Sequence, residues 1–252
     1  MKYLMWDIDG TLLLSGGAGK AAMIKVIKDY YFLDAFDFTR SLAGRTDSDI
    51  IKSVVTRLRG RCNAAETAGL LIRYHMELPH QLQLHKGRIL KNVEKTLAYF
   101  AQADSKYLNC LLTGNTRTGA QLKLEHYDLK KYFSFDHSVF GEISENREML
   151  AQVARHRLYM QDENASAKDL IFIGDTPNDA KCANAIGAPC LIVLGASHER
   201  IGEISVVEQS VIKLRAVKAC FSKICAGEVA IAEIHAGQVS TGEVATNAVF
   251  AV

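Results

Sequence analysis

Two stretches of the chain bring carboxylates together at short spacing. Asp7-Ile8-Asp9-Gly10-Thr11 sets two acids two residues apart behind a short apolar run, and Gly10 permits a sharp exit from it. Far along the chain, Gly174-Asp175-Thr176-Pro177-Asn178-Asp179 follows another apolar run and places two acids four residues apart, so that Asp175 and Asp179 can face one cavity at a helix start. Such groups are expensive to bury without a cation. Hard carboxylate oxygens suit magnesium, which keeps several waters and takes one or two carboxylates together with a substrate phosphate. Asp7, Asp9, Asp175 and Asp179 are therefore the candidate metal-binding group. Plainer readings stand beside this one: the first pair as a solvated strand end, and Asp179 as a helix cap, a role compatible with supporting a metal.

Thr113-Gly114-Asn115 ends a further apolar run and offers a hydroxyl and free backbone amides where glycine lets a phosphate approach closely. A transferring phosphoryl group also needs a positive side chain on its equatorial oxygens. Arg147, near the start of a helical pattern that precedes Asp175, is the candidate, against the plainer reading of an exposed helix arginine.

Buried parallel strands would deliver these groups. Tyr3–Trp6 ends at Asp7, residues 108–112 end at Thr113, and residues 170–173 end at Gly174-Asp175; a fourth run, residues 190–194, ends at Gly195 and carries no acid or hydroxyl. Helical stripes lie between them: Leu90, Val93, Leu97 and Phe100; Leu150, Val153, Ala154 and Leu158; Ala180, Ala183 and Ile186. Alternation of strand and helix predicts an α/β fold with a doubly wound parallel sheet, whose ligands sit beyond the carboxyl ends of the strands.

Residues 16–86 break the alternation and read as an inserted all-helical domain. Met23, Val26, Ile27, Tyr30 and Tyr31 form one stripe; Ile50, Ile51, Val54, Val55 and Leu58 form another behind a capping box at Thr46–Asp49; a third helix begins at Asn63. The division expected is a core from residues 1–15 and 87–205, the insertion at 16–86, and a C-terminal region at 206–252. In that region Val207, Val211, Leu214, Val217, Phe221 and Ile224 predict one more amphipathic helix. Residues 226–252 then run in fives with Val or Ile at 229, 234, 239, 244 and 249, read as a repetitive tail without a catalytic role.

Composition narrows the classes. The 252 residues are 48% hydrophobic, enough for a sizeable core, and 30 basic against 28 acidic residues argue against a nucleic-acid footprint. Six cysteines form no C-x-x-C pair or zinc spacing and read as reduced thiols. The start of the chain has no secretory apolar region and no run reaches membrane-spanning length, so the expectation is a cytoplasmic protein without nucleic-acid or membrane partners, its oligomeric state unread.

In that order and separation, DIDGT, LLTGN and IFIGDTPND resemble the haloacid dehalogenase-like hydrolases over roughly residues 1–205, with a helical cap inserted after the first motif as in the phosphoglycolate phosphatase-like and β-phosphoglucomutase-like branches. The resemblance implies a Mg2+-dependent phosphatase acting on a small phosphomonoester. In it Asp7 attacks phosphorus, and Asp9 protonates the leaving oxygen and later activates water. It also implies that Asp7, the main-chain carbonyl of Asp9, and Asp175 hold magnesium with Asp179 in support, and that Thr113 and Gly114 bind phosphate. The family usually has lysine where Arg147 stands; arginine can neutralise phosphate through two donors. Gly44-Arg45-Thr46-Asp47 resembles the loop by which related caps cover the site, which makes Arg45 a candidate substrate contact, against the reading of an ordinary helix-start arginine.

Two signals mislead. Ser15–Ala22 lacks the Gly and the Ser or Thr of a phosphate loop, and His75, His80 and His85, five apart with Pro79 among them, scatter around a helix rather than bind metal. Among rival functions, a phosphomutase shares every core residue. A phosphate-sensing protein or a receiver-type phospho-acceptor would not need Asp9 for turnover, and dehalogenation has no use for it.

Overall fold

In a computed structural model the chain is described at residues 1–61, 63–194 and 203–207. A five-stranded sheet runs in the order β4-β1-β5-β6-β7: β1 Lys2–Trp6, β4 Tyr107–Leu111, β5 Leu170–Gly174, β6 Cys190–Leu194 and β7 Glu203–Val207. The first four are parallel, as their near-continuous apolar runs require. The fifth, β7, pairs antiparallel with β6 at the edge. It takes in Val207, where the sequence predicts the start of a helix; the rest of that predicted helix, the repetitive tail, and Cys62, Cys220 and Cys225 lie outside the described residues.

Alternate residues of each strand enter different cores. Leu4, Trp6, Leu111, Ile171, Ile173 and Leu191 pack against α4 (Val93–Phe100) and α5 (Arg117–His126). Met5, Cys110, Leu170, Phe172, Cys190 and Ile192 pack against α6 (Arg147–Gln161) and α7 (Pro177–Ile186). Helices thus cover both faces. From β1 the sheet grows to β4 on one side, and the chain then crosses back to β5 on the other, the reversal of direction that opens a crevice at the strand ends.

The insertion is helical. Its helices are α1 (Ala18–Tyr31), α2 (Asp47–Arg59) and α3 (Ala64–Leu84), and they share their own core of Met23, Val26, Ile27, Ile51, Val55, Leu70, Tyr74 and Leu78. A two-stranded ribbon, β2 (Leu13–Leu14) with β3 (Arg88–Ile89), ties together the chain entering and leaving it. Helix α3 passes straight through Pro79, and α5, which the apolar pattern did not reveal, follows the second motif.

Among the described residues no helix is long and apolar enough to cross a membrane, and Cys110, Cys182 and Cys190 are buried free thiols.

Candidate active site

The register of the sheet brings the motifs together. Trp6 pairs with Leu111 on one side and Ile173 on the other, so Asp7, the Leu112-Thr113 step and Gly174-Asp175 leave three adjacent strands at one level. The Asp7 amide still donates to Ile173 O at 2.8 Å, and the Leu112 amide to Trp6 O at 2.9 Å. Beyond Asp7 the chain must turn at once. Gly10 does so at φ 85°, and its hydrogen faces Asp175: a Cβ there would stand 2.1 Å from Asp175 Oδ2.

One carboxylate oxygen from each of Asp7, Asp175 and Asp179 lies within 4.8 Å of the others. Each is fixed by separate means. Asp7 Oδ1 accepts from the Ile8 amide at 2.9 Å, and the Thr11 hydroxyl donates to Asp175 Oδ1 at 3.0 Å. Asp179 divides its oxygens: Oδ2 caps α7 by accepting from Thr176 N and Oγ1 at 2.9 and 2.7 Å, while Oδ1 faces Arg147. Asp179 therefore caps α7 and also lies among the clustered carboxylates.

Arg147 opens α6, with Asn146 as its cap, and is buried rather than exposed. Its guanidinium donates to Asp7 Oδ2 at 3.3 Å and to Asp179 Oδ1 at 2.5 Å. Nε is buried without a partner, so one donor of the fork remains unspent. With all three ionised, three carboxylates meet one guanidinium, an excess of two negative charges that matches one divalent cation. The strain is visible in their acidity. Burial pushes the Asp7 carboxyl up, against the pull of Arg147, and burial together with the charges of Asp7 and Asp179 pushes Asp175 up to about 7. The donor set, all oxygen and all carboxylate, fits a hard cation.

Asp9 does not join this group. Its carboxylate turns the other way: Asn115 Nδ2 donates to Asp9 Oδ2 at 2.9 Å, and Lys123 Nζ donates to the same oxygen at 2.6 Å. Asn115 Nδ2 also donates to the Thr113 hydroxyl at 2.9 Å, so the second motif holds the second acid. Two acids two residues apart thus serve different faces of the crevice.

The cap is closed on the core. Asp47, the first residue of α2, donates its amide to Gly114 O at 2.8 Å and accepts the Thr116 amide on Oδ2 at 2.9 Å. Asn178 Nδ2 donates to Gly44 O at 2.9 Å, and Lys52 pairs with Glu145 at 2.8 Å. Gly114 is needed for this closeness, because a Cβ there would lie 2.2 Å from Arg45 O. Arg45 sets its main-chain oxygen against Gly114 and lines one cavity with Arg147 and Asn178. Its guanidinium is engaged within the cap, Nε to Asp49 Oδ2 at 2.6 Å and an Nη to the Asp49 carbonyl and Ser53 Oγ. An acid four residues on, in the first turn of α2, is the local reason. His75, set aside as a metal ligand, bonds the Thr116 hydroxyl through Nε2 at 2.6 Å.

Three residues of the site escaped the sequence reading: Asn115 as a side chain, Lys123 and Asp47. The available signal was a lysine on the inner face of α5, beside Gly119, Ala120 and Leu124.

The chain has relatives of the same fold. CbbY from Rhodobacter sphaeroides, in complex with phosphate, is 12% identical with a TM-score of 0.60 over 79% of this chain and 88% of that one. A variant of that protein, in complex with xylulose-(1,5)bisphosphate, gives 0.61 at 12% identity over the same shares. A predicted phosphoglycolate phosphatase from Haemophilus somnus is 17% identical with a TM-score of 0.55, over 78% of this chain and 86% of that one. At these identities the likeness is one of fold. Comparison with the curated proteins gives no match. The model of the family described as haloacid dehalogenase-like hydrolase matches residues 4–193, most of the chain and the three strand ends that carry Asp7, Thr113 and Asp175, and the protein belongs to that family.

Proposed function

We propose that the protein is a Mg2+-dependent phosphatase that hydrolyses a small phosphomonoester through a phosphorylated Asp7. The observation that carries this reading is the division of labour between the two early acids. Asp7 is buried among Arg147, Asp175 and Asp179, while Asp9, two residues on, stands apart from them with its side chain 44% exposed.

Asp7, the main-chain carbonyl of Asp9, and Asp175 would hold magnesium, with Asp179 in support; the cation would supply the two missing positive charges and relieve the repulsion between phosphate and Asp7. Thr113 and the amides around Gly114 would receive the phosphate, and Arg147 would offer its unspent donor. An Asp7 oxygen then attacks phosphorus as the bond to the substrate oxygen breaks, and Asp9 gives that oxygen a proton. In the second step Asp9 takes a proton from water as the water oxygen attacks phosphorus. The Asp7–phosphate bond breaks and inorganic phosphate leaves.

The closed cap, with Arg45 O against Gly114, supports a compact substrate. By the resemblance, phosphoglycolate is the first to assay, and the bisphosphorylated sugar bound by the CbbY variant puts sugar phosphates second. The test is release of inorganic phosphate from a panel of phosphoglycolate, sugar phosphates and nucleotides, with and without Mg2+, by wild type and by Asp7→Asn. Magnesium-dependent release by wild type that is lost in the variant is expected. Release that persists in Asp7→Asn would overturn the nucleophile. Isomerisation of a sugar phosphate without net release would mean a mutase.

A further inference from the structure

Lys123 is a buried lysine that the two-step reaction has not used. It lies on α5, one helix beyond the phosphate-binding turn, with its side chain 5% exposed. An ammonium is taken out of water only where carboxylates or strong acceptors repay it. Here Nζ meets Asp9 Oδ2 at 2.6 Å and Asn115 Oδ1 at 2.7 Å. Burial works against its charge, yet the carboxylates of Asp9 and of Asp47, from the cap, outweigh that and hold it above the ordinary lysine value. Lys123 therefore stays an ammonium.

Which oxygen it grips matters. Lys123 and Asn115 both donate to Asp9 Oδ2, and among the described residues Oδ1 receives no hydrogen bond. An oxygen already accepting from a cation and an amide is a poor place for a proton, and the free one is the better place. We infer that Lys123 is a positioning residue that, with Asn115, anchors Asp9 by Oδ2 so that Oδ1 carries the proton to the departing oxygen of the substrate. The inference rests on the phosphatase reading. As the phosphorus–oxygen bond breaks, the proton passes from Oδ1 to that oxygen; Lys123 keeps its own protons throughout.

A group that places the acid should matter in proportion to how much the leaving group needs one. Lys123→Met would be compared with wild type on an alkyl phosphate, whose leaving oxygen must be protonated, and on p-nitrophenyl phosphate, whose leaving group departs as an anion. The quantity to read is kcat/KM, which reports the first transfer and not the later hydrolysis. The expected result is a fall of about 100-fold on the alkyl ester, in the range of general-acid effects, and of less than about fivefold on the aryl ester. Equal losses on both esters, or no loss on either, would overturn the assignment. Lys123→Gln, made in parallel, keeps a shorter donor, and circular dichroism checks both variants for folding. If neither folds, Lys123 is structural and the inference is wrong. Wild type inactive on both esters would instead remove the phosphatase reading itself.

Discussion

Gly10 and Asp175 stand so close that any side chain on the first would occupy the carboxylate of the second, 2.1 Å from a built Cβ to Oδ2. Residues 165 positions apart are thereby committed to one shape, the first turn curling beneath the acid that the third motif delivers. Gly10→Ala adds a strained left-handed conformation at φ 85° to that overlap. It should cost about 1–3 kcal/mol of stability and lower kcat/KM for phosphate release at least about tenfold by displacing Asp175. Urea melts and steady-state assays check both; an alanine variant with unchanged kinetics would mean that Asp175 tolerates displacement.

The charge excess at Asp7, Asp175 and Asp179 predicts that magnesium stabilises the fold by mass action. At a concentration one hundred times its Kd the gain is about 2.7 kcal/mol, read as a rise in Tm. Asp175→Asn should lose most of that rise. A variant that responds to Mg2+ like wild type would place the cation elsewhere.

Arg147 holds together two buried carboxylates, with contacts at 3.3 and 2.5 Å. Arg147→Met leaves them uncompensated and should destabilise the metal-free protein by about 3–5 kcal/mol. Added Mg2+ should recover part of this, whereas phosphate release should stay lost. Arg147→Lys, a point charge in place of a fork, should be the milder change on both counts. Chemical denaturation with and without Mg2+ measures the first claim, and a methionine variant as stable as wild type would refute it.

Asp47 gives a pH signature. Burial pushes its carboxyl up to about 6, against help from Lys123 and the Thr116 amide. The folded protein therefore holds this proton to higher pH than the unfolded chain, whose aspartates titrate near about 3.9. The contribution of this group to stability falls as pH rises from about 4 to about 6. Asp47→Asn keeps an acceptor for the Thr116 amide and removes the titration. Near pH 4 it should match wild type, and at pH 7.5 it should be more stable by about 2 kcal/mol. A variant less stable than wild type at pH 7.5 would show the charge to be favourable.

Much of this was legible in the sequence because chemistry and topology coincide. Asp7, Thr113 and Asp175 each close an apolar run, and in a parallel sheet such ends share one edge. Arg147 is proposed from the charge a phosphate needs, and the structure sets it between Asp7 and Asp179. Lys123 was not, because it occupies an inner position of α5 where periodicity looks for an apolar residue, and only the fold shows that position facing Asp9. The sequence does not show that Arg45 pairs with the Asp49 carboxylate one helical turn away. Asp47 reads in sequence as a helix start; only the closed cap shows that it also reaches Thr116 of the core.

The account stands most directly on a phosphoryl group carried by Asp7. Wild-type protein mixed with Mg2+ and a substrate from the panel, quenched in acid within one turnover and digested, should yield the peptide containing Asp7 with the added mass of one phosphate. Asp7→Asn should yield none. Inorganic phosphate released within the first turnover with the Asp7 peptide never modified would contradict the account.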